Sequence, residues 1–220
     1  MSARTRIKLC GLTRRPDVEA AVALGADAIG LVFYPPSPRS VTAQTAGQIL
    51  AQLPAFVSAV GLFVNPTLAE VQACIDAAPI SILQFHGDET PAQCAAIAQQ
   101  VRRPFLRALR IRPEMNASDL LEFEHAYRTS SPLFAGLLLD TWSDAYGGTG
   151  KVFDWSLIPA ELAHRAVLSG GLNAQNATGA VRQLHPHAVD VSSGIESAKG
   201  VKDVALMRAF IAAVRSADQE

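Results

Sequence analysis

The feature that most constrains the fold of this chain is an alternation, sustained along its whole length, between short apolar runs and longer segments with helical periodicity. Parallel strands need a crossover connection, which is usually a helix, so strict alternation predicts a mostly parallel sheet. Apolar residues at three- and four-residue spacing predict the helices. Eight strands are predicted, at Ile7–Cys10, Ala28–Phe33, Val57–Val64, Ile82–His86, Phe105–Arg110, Gly136–Asp140, Ala166–Ser169 and Ala188–Val191.

Eight strand–helix units in 220 residues predict an α/β protein, a closed (β/α)8 or TIM barrel that forms a single domain over residues 1–220. This fold typically takes about 250 residues and can be as short as about 200. A doubly wound open sheet is the alternative, but its dinucleotide-binding form carries G-x-G-x-x-G after the first strand. Here the residues after Cys10 read G-L-T-R-R. Thr67 after a proline and Thr90 before one predict the starts of two helices.

Composition excludes several classes of protein. Hydrophobic residues make up 49% of the chain and charged residues 18%, which is unlike a disordered segment. A net charge of -1 argues against a nucleic-acid partner, because neutralising phosphates takes a concentrated Lys/Arg surface. The longest uncharged run, residues 40–69, is interrupted by glutamines and prolines, so no membrane span is expected.

Cysteine usage and the first residues predict the compartment. Cys10, Cys74 and Cys94 include no C-x-x-C pair, so neither a disulfide framework nor a zinc site is expected. The basic start runs straight into the first strand, without the apolar region of a signal peptide. We therefore expect a cytoplasmic protein. Cys74 and Cys94 lie on apolar helical stripes, where a thiol acts as a small buried hydrophobe.

Glycine-rich loops follow the last two predicted strands. In barrels the loops after strands seven and eight recurrently bind phosphate, and catalytic groups sit at the carboxyl ends of the strands. Glycines let backbone N–H groups approach an anion, and serine hydroxyls add donors. The alternative is that these glycines only make tight turns. The residues expected to bind phosphate are Gly170, Gly171, Ser192, Ser193 and Gly194.

A second glycine cluster, Gly147–Lys151, does not fit a P-loop. That motif would need glycine where Ala145 stands and serine or threonine where Val152 stands. Two interpretations stay open for the cluster, a mobile cover over the site or a glycine-rich surface loop.

Strands one and six end in residues that suit acid–base chemistry. Cys10 reacts only as a thiolate, and Lys8 lies two residues earlier on the same strand face. The distance between them is not legible from the sequence. Asp140 closes an apolar run at the same end of the predicted barrel. The alternatives are a buried apolar role for Cys10 and a turn-capping role for Asp140.

Two further residues are candidates for contact with a substrate. His86 ends strand four, where it either contacts the substrate or packs at the rim. Arg39 follows a proline-rich loop, which would hold its guanidinium over an anionic group or leave it as a solvated surface charge.

An ordered series of motifs runs over nearly the whole chain: Lys8–Gly11, Gly25–Tyr34, Val60–Asn65, Leu83–Gly87, Leu138–Asp140, Tyr146–Lys151, Phe153–Trp155, Leu168–Asn173 and Val189–Glu196. With this set the chain resembles the phosphoribosylanthranilate isomerase family of tryptophan biosynthesis. The segments Leu12–Asp17 and Arg110–Ser131 match the family less closely.

This resemblance implies an isomerase for the Amadori rearrangement of N-(5-phosphoribosyl)anthranilate to 1-(2-carboxyphenylamino)-1-deoxyribulose 5-phosphate, without a metal or an organic cofactor. Asp140 matches the family's general acid, which protonates the furanose ring oxygen. Cys10 matches the general base, which removes the C2 proton. Arg39 would face the anthranilate carboxylate and His86 would line the pocket. Both a monomer and a homodimer remain open.

Three rival functions use the same barrel. An FMN-dependent oxidoreductase could use the same phosphate loops, but 220 residues leave little room for a flavin cover. A Schiff-base aldolase would need a lysine deep in a late strand, where strand six ends in Asp140 instead. A phosphosugar-binding sensor without catalysis would require the structural interpretations of both Cys10 and Asp140.

Overall fold

A computed structural model describes residues 4–142 and 153–219 of the chain. Its eight parallel strands close into a barrel in which each strand pairs with its neighbours in chain order and the first pairs with the eighth. The predicted (β/α)8 barrel is therefore confirmed, and each predicted strand overlaps an observed one. The strands are β1 Arg6–Cys10, β2 Ala28–Val32, β3 Ser58–Phe63, β4 Ile82–Phe85, β5 Phe105–Ile111, β6 Phe134–Thr141, β7 Val167–Leu168 and β8 Ala188–Val191.

Helices follow the strands along the chain and cover the outside of the barrel. Thr67 and Thr90 cap two of them with side-chain hydrogen bonds in capping boxes, so both predicted helix starts are confirmed. None of the helices in residues 4–142 and 153–219 is long and apolar enough to cross a membrane. The helices are α1 Arg15–Ala23, α2 Ala43–Leu50, α3 Leu68–Ala77, α4 Pro91–Val101, α5 Ala117–Ser130, α6 Ala160–Ala163, α7 Ala177–Leu184 and α8 Val204–Asp218.

Four short elements in the described residues were not predicted from the sequence. Strands β9 Glu196–Ala198 and β10 Val201–Lys202 form an antiparallel pair between β8 and α8. Two 3-10 turns also occur, Trp155–Leu157 before α6 and Ser193–Ile195 one residue after the end of β8. The cluster Gly147–Lys151, for which the sequence left a mobile cover and a surface loop open, lies outside the described residues.

The interior of the barrel changes from apolar to polar along the strands. A small cluster of Ala108, Leu138, Val167 and Ala188 packs inside the barrel. Two residues further along a strand, the side chain returns to the same face one layer closer to the carboxyl end. That step leads from Leu138 to Asp140, from Val167 to Ser169 and from Ala188 to Asp190, and the polar layer therefore lies at the carboxyl ends of the strands.

Candidate active site

A pocket opens at the carboxyl ends of the strands, above the polar layer of the barrel. It is lined by all of the predicted site residues except Gly194. These lining residues come from β1, β6 and the loops after β2, β4, β7 and β8. The structure therefore brings together residues that are up to 183 positions apart in the printed numbering, from Cys10 to Ser193. The lining residues that bear on the chemistry are Cys10, Arg39, Gln84, His86, Asp140, Thr141, Ser169, Gly170, Gly171, Asp190, Ser192 and Ser193.

The two glycine-containing loops form one wall of this pocket. Gly170 and Gly171 adopt φ values of 81° and 66°, in the left-handed region that favours glycine. Gly194 packs so closely against the backbone carbonyl of Leu172 that any side chain there would clash with it. Gly194 thus joins the loops after β7 and β8 and is not itself a lining residue of the pocket, while its contact with phosphate stays a prediction. No local sequence pattern records this close backbone approach.

A hydrogen-bonded chain crosses the pocket from β4 to β6. His86 Nε2 lies 3.1 Å from Asp140 Oδ2, and His86 Nδ1 lies 2.9 Å from the amide nitrogen of Gln84. The other carboxylate oxygen of Asp140 accepts a 2.8 Å hydrogen bond from the backbone N–H of Thr141. Gln84, His86 and Asp140 are all buried, which gives Asp140 a fixed orientation at the mouth of the barrel.

On the opposite side of the pocket, Cys10 lies next to a buried ion pair. Lys8 Nζ donates a 2.7 Å hydrogen bond to Asp190 on the paired strand β8, and Ser169 Oγ donates a 3.1 Å bond to the same carboxylate. Burial raises the pKa of the Cys10 thiol, while the positive charge of Lys8 opposes that effect only in part. Burial alone would lower the pKa of Lys8, but the charges of Asp190 and Cys10 together raise it. Lys8 therefore stays an ammonium ion beside the thiol.

Glycine in β2 makes room for both of these side chains. A Cβ at Gly30 would lie 2.7 Å from the sulfur of Cys10 and 3.1 Å from Cε of Lys8. Lys8 and Cys10 consequently point to the same side of β1, into the barrel, as their two-residue spacing predicts. The question left open by the sequence is answered, because the lysine is close enough to act on the thiol.

Arg39 lies at the rim of the pocket and is not a solvated surface charge, since it is only 8% exposed. Its Nε and Nη2 donate hydrogen bonds of 2.7 and 2.8 Å to the two oxygens of Glu196. Lys202 Nζ donates a 2.9 Å bond to the same carboxylate and another to the backbone oxygen of Ser192. Burial would raise the pKa of Glu196, but the bonds from Arg39 and Lys202 lower it. The guanidinium is therefore held by its partner.

Comparison with known proteins identifies the family of this chain. Residues 7–213 match the family model described as N-(5'-phosphoribosyl)anthranilate (PRA) isomerase. The N-(5'-phosphoribosyl)anthranilate isomerase of Herminiimonas arsenicoxydans is 64% identical over 215 residues, which cover 98% of this chain and 95% of that protein. The chain belongs to the phosphoribosylanthranilate isomerase family. The resemblance seen in the sequence is thus confirmed.

Solved structures of this isomerase family have the same fold. One describes monomers generated from the dimeric enzyme of Thermotoga maritima. It is 35% identical to this chain, has a TM-score of 0.81, and the match covers 96% of this chain and 99% of that one. Another is a complex with reduced 1-(o-carboxyphenylamino)-1-deoxyribulose 5-phosphate, with 36% identity, a TM-score of 0.81 and the same coverage.

Sequence reasoning missed several polar residues of this isomerase. Gln84 and Asp190 lie two residues before His86 and Ser192, so the strand period could have placed them on the inner face. Thr141 has a buried hydroxyl that no hydrogen-bond partner in the described residues satisfies. Lys202 carries no such local signal, because it reaches the site only through the unpredicted β9–β10 hairpin.

The other two thiols of this family member behave as expected. Cys74 and Cys94 are buried in α3 and α4. Burial raises the pKa of Cys74 to about 11 and that of Cys94 to about 12, so both stay neutral thiols. They serve as internal controls for experiments on Cys10.

Proposed function

We propose that this pocket isomerises N-(5-phosphoribosyl)anthranilate to 1-(2-carboxyphenylamino)-1-deoxyribulose 5-phosphate, with Asp140 as the general acid and Cys10 as the general base. The observation that most supports these roles is that a carboxylate on β6 and a thiol on β1 line one pocket, whose wall is built from the two glycine loops. A small substrate held by those loops would lie between the two groups.

The phosphate end of the substrate is assigned to the loops after β7 and β8, at Gly170, Gly171, Ser192, Ser193 and Gly194. Phosphate sites in barrels recur in these loops together with a short extra helix, and the 3-10 turn Ser193–Ile195 lies there. The phosphate end does not react, and the free energy of its binding positions the reacting end of the substrate.

The first step assigned to the site opens the sugar ring. Asp140 gives its proton to the furanose oxygen, the bond from that oxygen to C1 breaks, and the nitrogen lone pair of the anthranilate forms the C1=N bond. In the second step the Cys10 thiolate takes the proton from C2, and the electrons of that C–H bond form C1=C2 while the C=N electrons return to nitrogen. The resulting enolamine tautomerises to the ketone. Each proton transfer by a placed group is worth about 10²- to 10⁴-fold in rate.

These roles predict a pH profile with two midpoints. Turnover needs Asp140 protonated and Cys10 ionised together, yet carboxyl and imidazole groups ordinarily titrate below a thiol, and burial raises the pKa of Cys10 further. Between the two midpoints, the fraction of molecules that have a protonated Asp140 together with an ionised Cys10 does not change with pH. At lower pH more thiolate is lost without any gain in acid, and at higher pH the acid loses its proton without any gain in thiolate. The acidic midpoint therefore reports the group that donates the proton, and the alkaline midpoint reports the thiol that accepts one.

The anthranilate carboxylate is assigned to Arg39, and His86 is assigned to the lining of the pocket beside Asp140. Arg39 suits a carboxylate because its guanidinium presents a fixed fork of donors. Glu196 holds two of those donors, so the arginine is oriented before a substrate arrives.

The experiment that tests this function follows the fluorescence of freshly formed N-(5-phosphoribosyl)anthranilate after the enzyme is added. We expect the fluorescence to decay at a rate proportional to enzyme concentration, and inorganic phosphate to compete with the substrate. A crystal soaked in phosphate should hold the anion between Gly170, Gly171, Ser192 and Ser193. No accelerated decay would overturn the function, and an anion bound elsewhere in the pocket would overturn the phosphate assignment.

Two broader properties belong to the same proposal. Residues 1–220 are taken as one domain, because the barrel runs from β1 to α8 and both apolar clusters of the described residues belong to it. A cytoplasmic location fits Cys10, Cys74 and Cys94, which are free thiols.

We also infer a homodimer with Phe56 in its interface. This side chain, in the loop between α2 and β3, is fully exposed, and its φ of 69° is rare for a bulky residue. The Thermotoga maritima relative is described as dimeric. Sedimentation velocity should give a dimer for the wild type and a monomer for Phe56→Asp, while Leu68→Asp, at another exposed apolar residue, stays dimeric. A monomeric wild type, or a dimeric Phe56→Asp variant, would contradict this inference.

A further inference from the structure

The chain of hydrogen bonds from Gln84 through His86 to Asp140 fixes where the protons of the acid side lie. The amide nitrogen of Gln84 can only donate, so His86 Nδ1 must accept its hydrogen bond. A neutral imidazole that accepts at Nδ1 carries its proton on Nε2. His86 Nε2–H therefore donates to Asp140 Oδ2, and Asp140 in this arrangement is the ionised carboxylate.

This arrangement is the wrong one for the reaction, because Asp140 must bring a proton to the sugar. When the His86–Asp140 pair takes up one more proton, two forms are possible. In one, both Asp140 and His86 are neutral, and in the other an ionised Asp140 lies beside a His86 imidazolium. In the first form Asp140 O–H donates to Nε2, which leaves the histidine proton on Nδ1. In the second form both ring nitrogens carry protons. Either way Nδ1 becomes a donor, and the amide nitrogen of Gln84 no longer fits it.

The oxygen of the Gln84 side chain supplies the missing acceptor. Oε1 is buried and has no hydrogen-bond partner among the described residues. If the amide rotates by half a turn, Oε1 faces Nδ1 and no existing bond of that oxygen is broken. The two orientations of one buried amide thus match the two proton counts of the His86–Asp140 pair.

We propose that Gln84 is a positioning residue that acts through His86 and, by the orientation of its amide, sets whether Asp140 holds the proton it donates. This inference rests on the proposed role of Asp140 as general acid. It adds a residue for which the sequence suggested no role.

Within residues 4–142 and 153–219, the charged groups around His86 are already paired, and this leaves Gln84 as the described neighbour that can respond. In the pocket, Arg39 is held by Glu196 and Asp190 by Lys8, while Cys10 is a neutral thiol at rest because burial raises its pKa. Further pairs lie on the flanking strand β5 and in the loop that follows His86. They are Arg107 with Glu89, and Arg110 with Asp88.

The main test measures kcat/KM against pH in Gln84→Glu. A carboxylate at this position only accepts hydrogen bonds, so it favours a proton on Nδ1 and keeps the pair protonated to higher pH. We expect the acidic midpoint to move up by about one unit, while the alkaline midpoint, which reports Cys10, stays in place. Gln84→Leu, which has no hydrogen-bonding group, should show no upward shift and a lower kcat.

A double-mutant cycle with His86→Asn separates action through His86 from a direct field on Asp140. If Gln84 acts through the imidazole, adding Gln84→Glu to His86→Asn leaves the acidic midpoint of the single His86→Asn variant unchanged. A merely structural role would change thermal stability and KM in each variant without moving either midpoint.

A second readout needs no turnover. Nitrogen-15 NMR of the imidazoles, with His86 assigned by comparison with His86→Asn, should show His86 protonated at Nε2 alone in the wild type above the acidic midpoint. In Gln84→Glu the proton should be on Nδ1 at the same pH. An Nδ1-protonated neutral His86 in the wild type, or an unmoved acidic midpoint in Gln84→Glu, would overturn the inference. An inactive wild type would instead overturn the proposed function.

Discussion

The two sides of the pocket, around Asp140 and around Cys10, are proposed to move protons in opposite directions, and they differ in the charge of the neighbouring groups. On the side of Asp140, the groups that hydrogen-bond to the carboxylate within residues 4–142 and 153–219 are the His86 imidazole and a backbone N–H. On the side of Cys10, a lysine ammonium lies beside the thiol and is held by Asp190. A nearby cation favours an ionised thiol, whereas an acid keeps its proton more easily where no cation faces it. The comparison teaches that charge is placed where a proton must leave, and neutral hydrogen bonds where a proton must be delivered.

The two sides also differ in their importance for folding. Removing one partner of a buried ion pair leaves an uncompensated charge and costs about 3–5 kcal/mol, which applies to Lys8 and Asp190. Leaving a buried neutral donor or acceptor unsatisfied costs about 1–3 kcal/mol, as would apply on the Gln84 side. The side of Cys10 is therefore expected to tolerate substitution less well than the side of Asp140.

The largest expected effect comes from Asp140→Asn, which removes the acid. An amide cannot donate a proton to the ring oxygen, so kcat should fall by about 10³- to 10⁴-fold. Competition by inorganic phosphate, measured as an inhibition constant on the residual activity or by calorimetry, should be unchanged. Turnover near that of the wild type would assign the acid role elsewhere.

Cys10→Ser should be the next largest, with a loss of about 10²- to 10³-fold in kcat. The serine hydroxyl keeps a polar atom at the same place but ionises far less readily than a thiol. The matched control is Cys74→Ser, which alters a thiol in α3 outside the pocket and should keep full activity. If both serine variants lost activity equally, the base role of Cys10 would fail.

Lys8→Met tests the charge on the base side. Without the ammonium the pKa of Cys10 should rise further, so alkylation of this thiol by iodoacetamide at about pH 8 should slow by about tenfold. The alkaline midpoint of kcat/KM should move up while the acidic midpoint stays. Lys8→Arg keeps the charge and serves as the control, and thermal unfolding of both variants reports the cost of the broken pair. An unchanged alkylation rate in Lys8→Met would remove Lys8 from the account.

The smallest effect is expected for Glu196→Gln, which alters the rim and replaces no residue of either side. Losing the charge of Glu196 loosens the hold on Arg39, so KM should rise by about three- to tenfold while kcat changes little. Both pH midpoints should match those of the wild type. A shift in either midpoint would show that the rim is coupled to the proton transfers, and the division of the pocket into two independent sides would then be wrong.

Much of this molecule could be predicted from its sequence because a parallel barrel imposes strong patterns. Buried strands alternating with amphipathic helices predicted the eight strands, and strand ends predicted where Cys10, His86 and Asp140 would meet. The β9–β10 hairpin was missed because its strands have three and two residues. Such short strands carry no periodicity.

The polar partners inside the barrel were harder to predict for a different reason. Gln84 and Asp190 stand within apolar strands, and only the closure of the sheet decides which neighbours they meet. Asp190 pairs with Lys8, from which it is 182 residues distant in the sequence. The contact of Gly194 is long-range as well, since it is made with a backbone carbonyl on another loop. Long-range pairing of this kind leaves no trace in local composition.

Gly30 has no functional group and lies in the middle of β2, yet it shares its space with the sulfur of Cys10 and the stem of Lys8. In a saturation mutagenesis library selected for growth without tryptophan, even alanine at this position should be depleted about as strongly as replacements of Cys10 itself. Sequencing of the selected library would show a second position that tolerates no substitution, on a strand without catalytic groups. Its cause would be the volume that the neighbouring thiol needs.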